Sequence, residues 1–119
     1  MNETDAGVHI DVRTDATVVS IHGRLDLSGV DDVEDRFHSA ASDARRLVVD
    51  LSDVDYISSS AIRMILGKSR VVRSNGGQMV LCRLQPLVSR VFEMTRLNKI
   101  IPVLATVDEA VQELRRQVP

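Results

Sequence analysis

The stretch that most constrains this chain is R-L-V-V-D-L-S-D-V-D-Y-I-S-S-S-A-I-R, from Arg46 to Arg63. Its apolar opening, Leu47-Val48-Val49 bounded by Asp50 and Leu51, has the composition of a buried central strand. A short acidic loop, Ser52 to Asp55, leads back into apolar chain at Tyr56-Ile57. Ser58, Ser59 and Ser60 follow directly, and after them comes a helical pattern. Hydroxyls at such a junction sit beside free backbone N–H groups, at the positive end of a helix dipole. One of the serines is needed as an N-cap. The other two are not.

Strands and helices alternate around this segment. Val8, Ile10 and Val12 alternate with His9, Asp11 and Arg13, which predicts a half-buried strand. A turn at Asp15-Ala16 leads into a second strand, Thr17 to His22, paired with the first as an antiparallel hairpin. After Gly23-Arg24-Leu25-Asp26, Ser28 with Asp31 three residues on reads as a helix start. Val30, Val33, Phe37, Ala40 and Ala41 supply that helix's apolar stripe. A helix from about Ser60 to Ser74, with Ile62, Ile65, Leu66, Ser69 and Val72 inward, stops at Asn75-Gly76-Gly77. Gln78 to Arg83 reads as the fourth strand, Pro86 opens a short helix carrying Leu87, Val88, Val91, Phe92 and Met94, and Ile101 to Leu104 is a short last strand. Thr106 and Glu109 form a capping box before a final helix through Val107, Ala110, Val111 and Leu114. This order predicts one α/β domain: a mixed four- to five-stranded sheet flanked by about four helices. Residues 8–116 make the domain, after a flexible N-terminal tail over residues 1–7.

Several functions are disfavoured. The 119 residues carry a net charge of −2, with no Trp, one Tyr and two Phe, so neither electrostatics nor stacking favours nucleic acid. The apolar run Ile100 to Ala105 is too short for a membrane span and contains Pro102, and the acidic start M-N-E-T-D-A-G does not resemble a signal peptide. The single Cys82 excludes an internal disulfide and reads as a small core residue. A cytoplasmic protein fits these features. Gly67-Lys68-Ser69 looks like the tail of a phosphate loop, but Ile62 stands where that motif needs glycine. His9, His22 and His38 lack metal-ligand spacing, so no metal and no cofactor is expected. A hydrolase built on Ser59 or Ser60 with His22 and Asp26 is a remote alternative, since no G-x-S-x-G elbow is present. Arg63 opposes the helix dipole, yet it lies four residues after Ser59, within reach of a group carried there.

G-R-L-D at 23–26, D-Y-I-S-S-S-A-I-R at 55–63, V-F-E-M-T-R-L at 91–97 and the A-T-V-D-E-A helix start together resemble the STAS domain, the bacterial anti-sigma factor antagonist family. The resemblance runs from about Val8 to Leu114. It implies a non-catalytic binding module whose serine, at the start of the helix after the third strand, is phosphorylated by an anti-sigma factor that is also a serine kinase. Only the unphosphorylated form binds that kinase and frees the sigma factor. Matching the motif places the acceptor at Ser59, with Ser58 or Ser60 selected by a one-residue shift. Ser58 stands where many members carry aspartate, and Ala61 at or beside a frequent glycine. The implied partner surface is Asp26, Ser58, Ser59, Ser60 and Arg63, gathered on one patch because the second and third strands end on the same side. A PP2C-type phosphatase would reset the cycle. The domain itself would be a monomer or weak dimer, with no direct contact to nucleic acid or membrane. A STAS scaffold or accessory subunit, of stressosome or transport-complex type, is the alternative within the family.

Overall fold

Val48 and Val49 are neighbours in sequence, yet both are fully buried, on opposite faces of one sheet. That double burial marks the central strand of a three-layer arrangement. The computed structural model describes residues 6–119. Five strands, β1 (Gly7–Val12), β2 (Thr17–His22), β3 (Arg46–Asp53), β4 (Gln78–Cys82) and β5 (Val103–Leu104), form one sheet in the order β1-β2-β3-β4-β5. β1 and β2 are antiparallel, closed by a turn in which the Arg13 N–H donates to the Ala16 carbonyl at 2.9 Å. The other pairings are parallel. The helices are α1 (Leu27–Asp43), α2 (Ser59–Ser74), α3 (Pro86–Met94) and α4 (Val107–Gln117), with a 3-10 turn at Leu97–Lys99. The mixed sheet with four flanking helices is as the sequence predicts.

Alternation along the strands divides the core. Val19, Ile21, Leu47, Val49, Leu51, Met79 and Leu81 face a layer holding Val33 and Phe37 of α1, Ile65 and Val72 of α2, and Val88 and Phe92 of α3. Val18, Val48, Val80 and Cys82 face α4 through Ala110, Val111 and Leu114. Burial of these side chains, at about 25 cal/mol per Å², is the main force holding the layers together. Cys82 is a buried core thiol, as expected; burial, with Asp50 beside it, pushes its pKa up to about 12 and leaves it inert.

Several boundaries differ from the sequence reading. β1 takes in Gly7, while residues 1–5 of the expected tail lie outside the described residues. β3 continues through Ser52 to Asp53, so half of the expected acidic loop is strand, and Asp50 lies buried within it. β4 ends at Cys82 because Arg83 adopts a left-handed backbone, φ +58. β5 keeps only Val103 and Leu104, after Pro102. α2 buries Ala61, Met64 and Lys68 beside Ile65, Ser69 and Val72, whereas Ile62 and Leu66 are half-buried. Lys68 sits between α2 and α1, where its ammonium pairs with Glu34 and lies 3.3 Å from His38 Nδ1. The Gly-Lys-Ser triplet therefore lies inside α2, where Lys68 reaches across to α1, and is not a phosphate loop. α2 stops where Gly76 takes φ +82, a conformation glycine adopts without steric cost. The capping box of α4 forms: the Glu109 N–H donates to Thr106 Oγ1 at 3.0 Å, and the Glu109 carboxylate accepts from the Ala105 N–H rather than that of Thr106.

Candidate functional site

Parallel strands β2 and β3 end on the same side of the sheet, and their following loops remain zipped together. The Gly23 N–H donates to the Asp53 carbonyl at 3.1 Å, the Leu25 N–H to Tyr56 at 3.0 Å, and the Ser58 N–H to Leu25 at 2.9 Å. An isolated parallel bridge, Leu25 to Ile57, results. The next residues along the two segments are Asp26 and Ser58, and each caps a helix. The Asp26 carboxylate accepts from the Gly29 N–H at 2.8 Å, and Ser58 Oγ accepts from the Ala61 N–H at 3.2 Å. Two helix N-termini thus stand side by side, each at its positive end.

The cap of α1 corrects the sequence reading. The helix begins at Leu27, and Ser28 lies within its first turn. Asp26 takes the cap because it directly follows Leu25, which the parallel bridge to Ile57 holds in place. The chain also approaches itself closely here: a Cβ on Gly29 would lie 2.0 Å from the Arg24 carbonyl oxygen, so no larger residue fits.

The three serines have different surroundings. Ser58 is half-buried and occupied as the cap. Ser59, the first residue of α2, is exposed, and Ser60 is half-buried. With the cap already filled by Ser58, Ser59 offers the most open hydroxyl. Arg63 is exposed one turn further along α2, and the first turn of α2 carries no acid. The guanidinium of Arg24 lies 3.9 Å above the centre of the Tyr56 ring and 3.5 Å from the Asp26 carboxylate, which braces both loops. Asp26, Ser58, Ser59 and Ser60 are therefore gathered at one end of the domain, with Arg63 following on α2. His22 is not linked to them by any hydrogen bond among the described residues; its ring lies over Gly7, 2.4 Å from where a Cβ would stand. That leaves the Ser–His–Asp reading without its proton relay.

The sequence reading missed the support beneath the serine loop. Arg83 donates to both oxygens of Asp50, at 3.2 and 2.8 Å, and to Ser52 Oγ at 2.9 Å. Gln85 Nε2 donates to the Ser52 carbonyl at 2.7 Å. The start of the serine loop is thereby tied to the segment entering α3. Burial would raise the Asp50 pKa, but the Arg83 guanidinium and the Ser52 N–H outweigh it and hold the carboxyl below its ordinary range. One signal for this pairing was present: a charged residue between Val49 and Leu51, inside an apolar strand, requires a partner. Among the described residues no cluster of His, Cys, Asp and Glu has metal-site geometry.

Comparison with known proteins agrees with this arrangement. The family model of the STAS domain matches residues 8–110. A candidate anti-sigma factor antagonist of Bordetella bronchiseptica is 37% identical over 75 residues, covering 63% of this chain and 65% of that protein. An anti-sigma F factor antagonist of Paenibacillus polymyxa is 29% identical over 99 residues, covering 82% and 85%. Among solved structures, an anti-sigma factor antagonist from Mycobacterium paratuberculosis superposes with a TM-score of 0.86 at 22% identity, covering 96% of this chain and 97% of that one, a likeness of fold.

Proposed function

The chain belongs to the STAS domain family, and on that premise we propose that it is an anti-sigma factor antagonist whose binding is gated by phosphorylation of Ser59. Unphosphorylated, it sequesters an anti-sigma factor that is also a serine kinase, and so releases a sigma factor. The observation that carries this reading is the division of labour among the serines: Ser58 is held as the cap, while Ser59 is exposed at the first position of α2. The kinase transfers the γ-phosphoryl group of ATP to Ser59 Oγ, whose proton is lost as ADP leaves. The domain contributes no catalytic group; it presents the hydroxyl.

Elementary electrostatics says how the switch works. A phosphate adds about 1.5 to 2 negative charges at pH 7. On Ser59 these charges meet the positive end of α2, and Arg63, four residues on, is positioned to pair with them. The fold is steadied rather than melted. The block therefore lies in the interface, where a dianion replaces a hydroxyl and must be desolvated on docking. Like-charge contact across an interface costs several kcal/mol, and each ~1.4 kcal/mol is tenfold in affinity. A loss of about a hundredfold follows. Asp26, Ser58, Ser60 and Arg63 frame the contact, and a PP2C-type phosphatase resets it. We place this cycle in the cytoplasm, with the domain acting as a monomer or weak dimer; no helix of the described residues is long and apolar enough to cross a membrane.

The test is incubation of the chain with ATP and each anti-sigma kinase encoded in its source genome, followed by mass spectrometry. One phosphate on Ser59 is expected. A phosphate on Ser60 alone shifts the register by one residue and leaves the mechanism standing. A phosphate outside Ser58 to Ser60, or none with any kinase, refutes the reading.

A further inference from the structure

A partner that reads Ser59 must cover more than the serine loop, because a standard protein interface hides about 800 Å² on each side. The loop has two flanks. On one, the solvent side of α1 carries Asp31, Asp32, Asp35 and Arg36, all exposed. On the other lies α3, whose solvent side mixes exposed Leu87 and Met94 with the charged Arg90 and Glu93. Leu87 is 68% exposed and Met94 76%. Seven residues apart on a helix, they point the same way about 10 Å from each other. Val91 is half-buried beside them and Arg90 is exposed between them. The opposite side of α3 buries Val88 and Phe92. Two large apolar side chains thus stand in solvent on the outer side of α3, and nothing among the described residues covers them. This stripe also continues into the serine loop. A cleft of about 130 Å³ lined by Asp55, Tyr56, Ile57, Leu87, Val88 and Val91 joins the two, and Tyr56 precedes Ser58 by two residues.

We infer that the outer face of α3, formed by Leu87, Arg90 and Met94 and joined to the Tyr56 cleft, is the second half of the surface that docks the Ser59 kinase. It takes an apolar segment of that partner flanked by acidic side chains. This inference rests on the function proposed above and extends it to a footprint. The partner's acidity follows from charge. Arg90, Arg96 and Lys99 are exposed and make no ion pair among the described residues, and Glu93 is the one acid between Arg90 and Lys99. This basic end belongs to a chain whose net charge is −2. A second copy of the chain fits the face less well, because a two-fold pairing opposes these cations to themselves. A bilayer fits less well too, since Asp53 and Asp55 stand exposed on the adjoining loop.

The experiment is calorimetric titration of the kinase that phosphorylates Ser59 with wild type, Leu87→Asp, Met94→Glu, Arg90→Glu and, on the opposite flank, Asp35→Lys. All four residues are exposed, and melting curves establish that each variant is folded. Burial of one leucine-sized side chain corresponds to roughly ten- to hundredfold in affinity. Leu87→Asp and Met94→Glu are each expected to weaken binding at least tenfold. Arg90→Glu should weaken it about threefold and flatten its salt dependence, and Asp35→Lys should stay within about twofold of wild type. Wild-type affinity in both apolar variants overturns the inference and leaves the Ser59 switch standing. So does a loss confined to Asp35→Lys, which moves the footprint onto α1. Failure of the unmodified wild type to bind any such kinase refutes the function itself and this face with it. Two further results assign the face elsewhere and overturn the proposal: a wild-type dimer in sedimentation that Met94→Glu dissociates, or adsorption to phosphatidylglycerol vesicles that Met94→Glu abolishes.

Discussion

Replacing Ser58 and Ser59 separately by alanine should separate the capping hydroxyl from the one proposed to take the phosphate. In Ser58→Ala the Ala61 N–H loses its acceptor, now 3.2 Å away. N-cap losses run from about 0.5 to 2 kcal/mol, and a bond at the long end of the range on a half-buried hydroxyl points to about 1 kcal/mol. Unfolding entropy near 2.1 cal/mol/K per residue gives about 250 cal/mol/K for 119 residues, so that loss lowers Tm by about 4 °C. Ser59→Ala behaves differently. Ser59 is exposed and already helical, and alanine is the better helix former by roughly 0.5 kcal/mol, so Tm should hold or rise by about 2 °C. For phosphorylation the proposed cycle expects the reverse order: Ser59→Ala should abolish it and bind the kinase constitutively, while Ser58→Ala should still accept a phosphate. The assay is a melting curve beside a timed incorporation of labelled phosphate for each variant. A larger Tm loss in Ser59→Ala than in Ser58→Ala refutes the cap assignment and, with it, the reason for choosing Ser59.

Ser59→Asp should bind the kinase about a hundredfold more weakly than wild type while melting within about 1 kcal/mol of it, because the change is exposed and lies at a helix N-terminus; titration beside a melting curve checks both. Phe37→Ala empties a fully buried site between α1 and the sheet, and denaturant titration should show a loss of about 3 to 5 kcal/mol. Asp50 is held below the ordinary carboxylate range in the fold, so its stabilisation is present above that range and disappears as pH falls through the lowered value. The stability gap between wild type and Asp50→Asn should therefore be constant from about pH 5 to 8 and close below about pH 4. Lys68→Met keeps the volume between α1 and α2 but leaves the Glu34 carboxylate without its cation, so denaturant titration should show a loss of about 1 kcal/mol or more, which a second change, Glu34→Gln, should largely restore.

What could be read from the sequence was local. The alternation of Val8, Ile10 and Val12, the Thr106–Glu109 box and the stop before Gly76 are patterns within a few residues, and each became the element it predicts, although Val12, at the end of β1, is exposed rather than turned inward. The start of α1 failed for a local reason as well. Asp26 followed by Gly29 and Ser28 followed by Asp31 both place a capping group three residues before a plausible partner, and only the bridge from Leu25 to Ile57 fixes which is used. The contacts that cross the fold stayed hidden. Asp50 and Arg83 are 33 residues apart in sequence and meet because β3 and β4 are parallel neighbours and Arg83 turns left-handed. Lys68, part of a false phosphate motif in sequence, finds Glu34 only once α1 and α2 pack together. The Ser58–Ser60 triplet was visible as a site, but its hydroxyls are identical on paper and differ only in exposure and hydrogen bonding.

The strand order has a consequence for how the domain comes into being. Because the strands lie in the sheet in the same sequence in which they occur along the chain, each new strand joins the edge made just before it. No strand waits for a distant one to be synthesised, and the early hairpin of β1 and β2 can template the rest during translation. The serine loop is the exception to this steady growth. It emerges after β3, but its anchors, Arg83 and Gln85, arrive about 30 residues later by sequence. Until they arrive, the end of β3 that leads to the three serines lacks its hydrogen bonds to the segment entering α3. The shaped loop is therefore complete only in domains that have made β4 and the residues just after it.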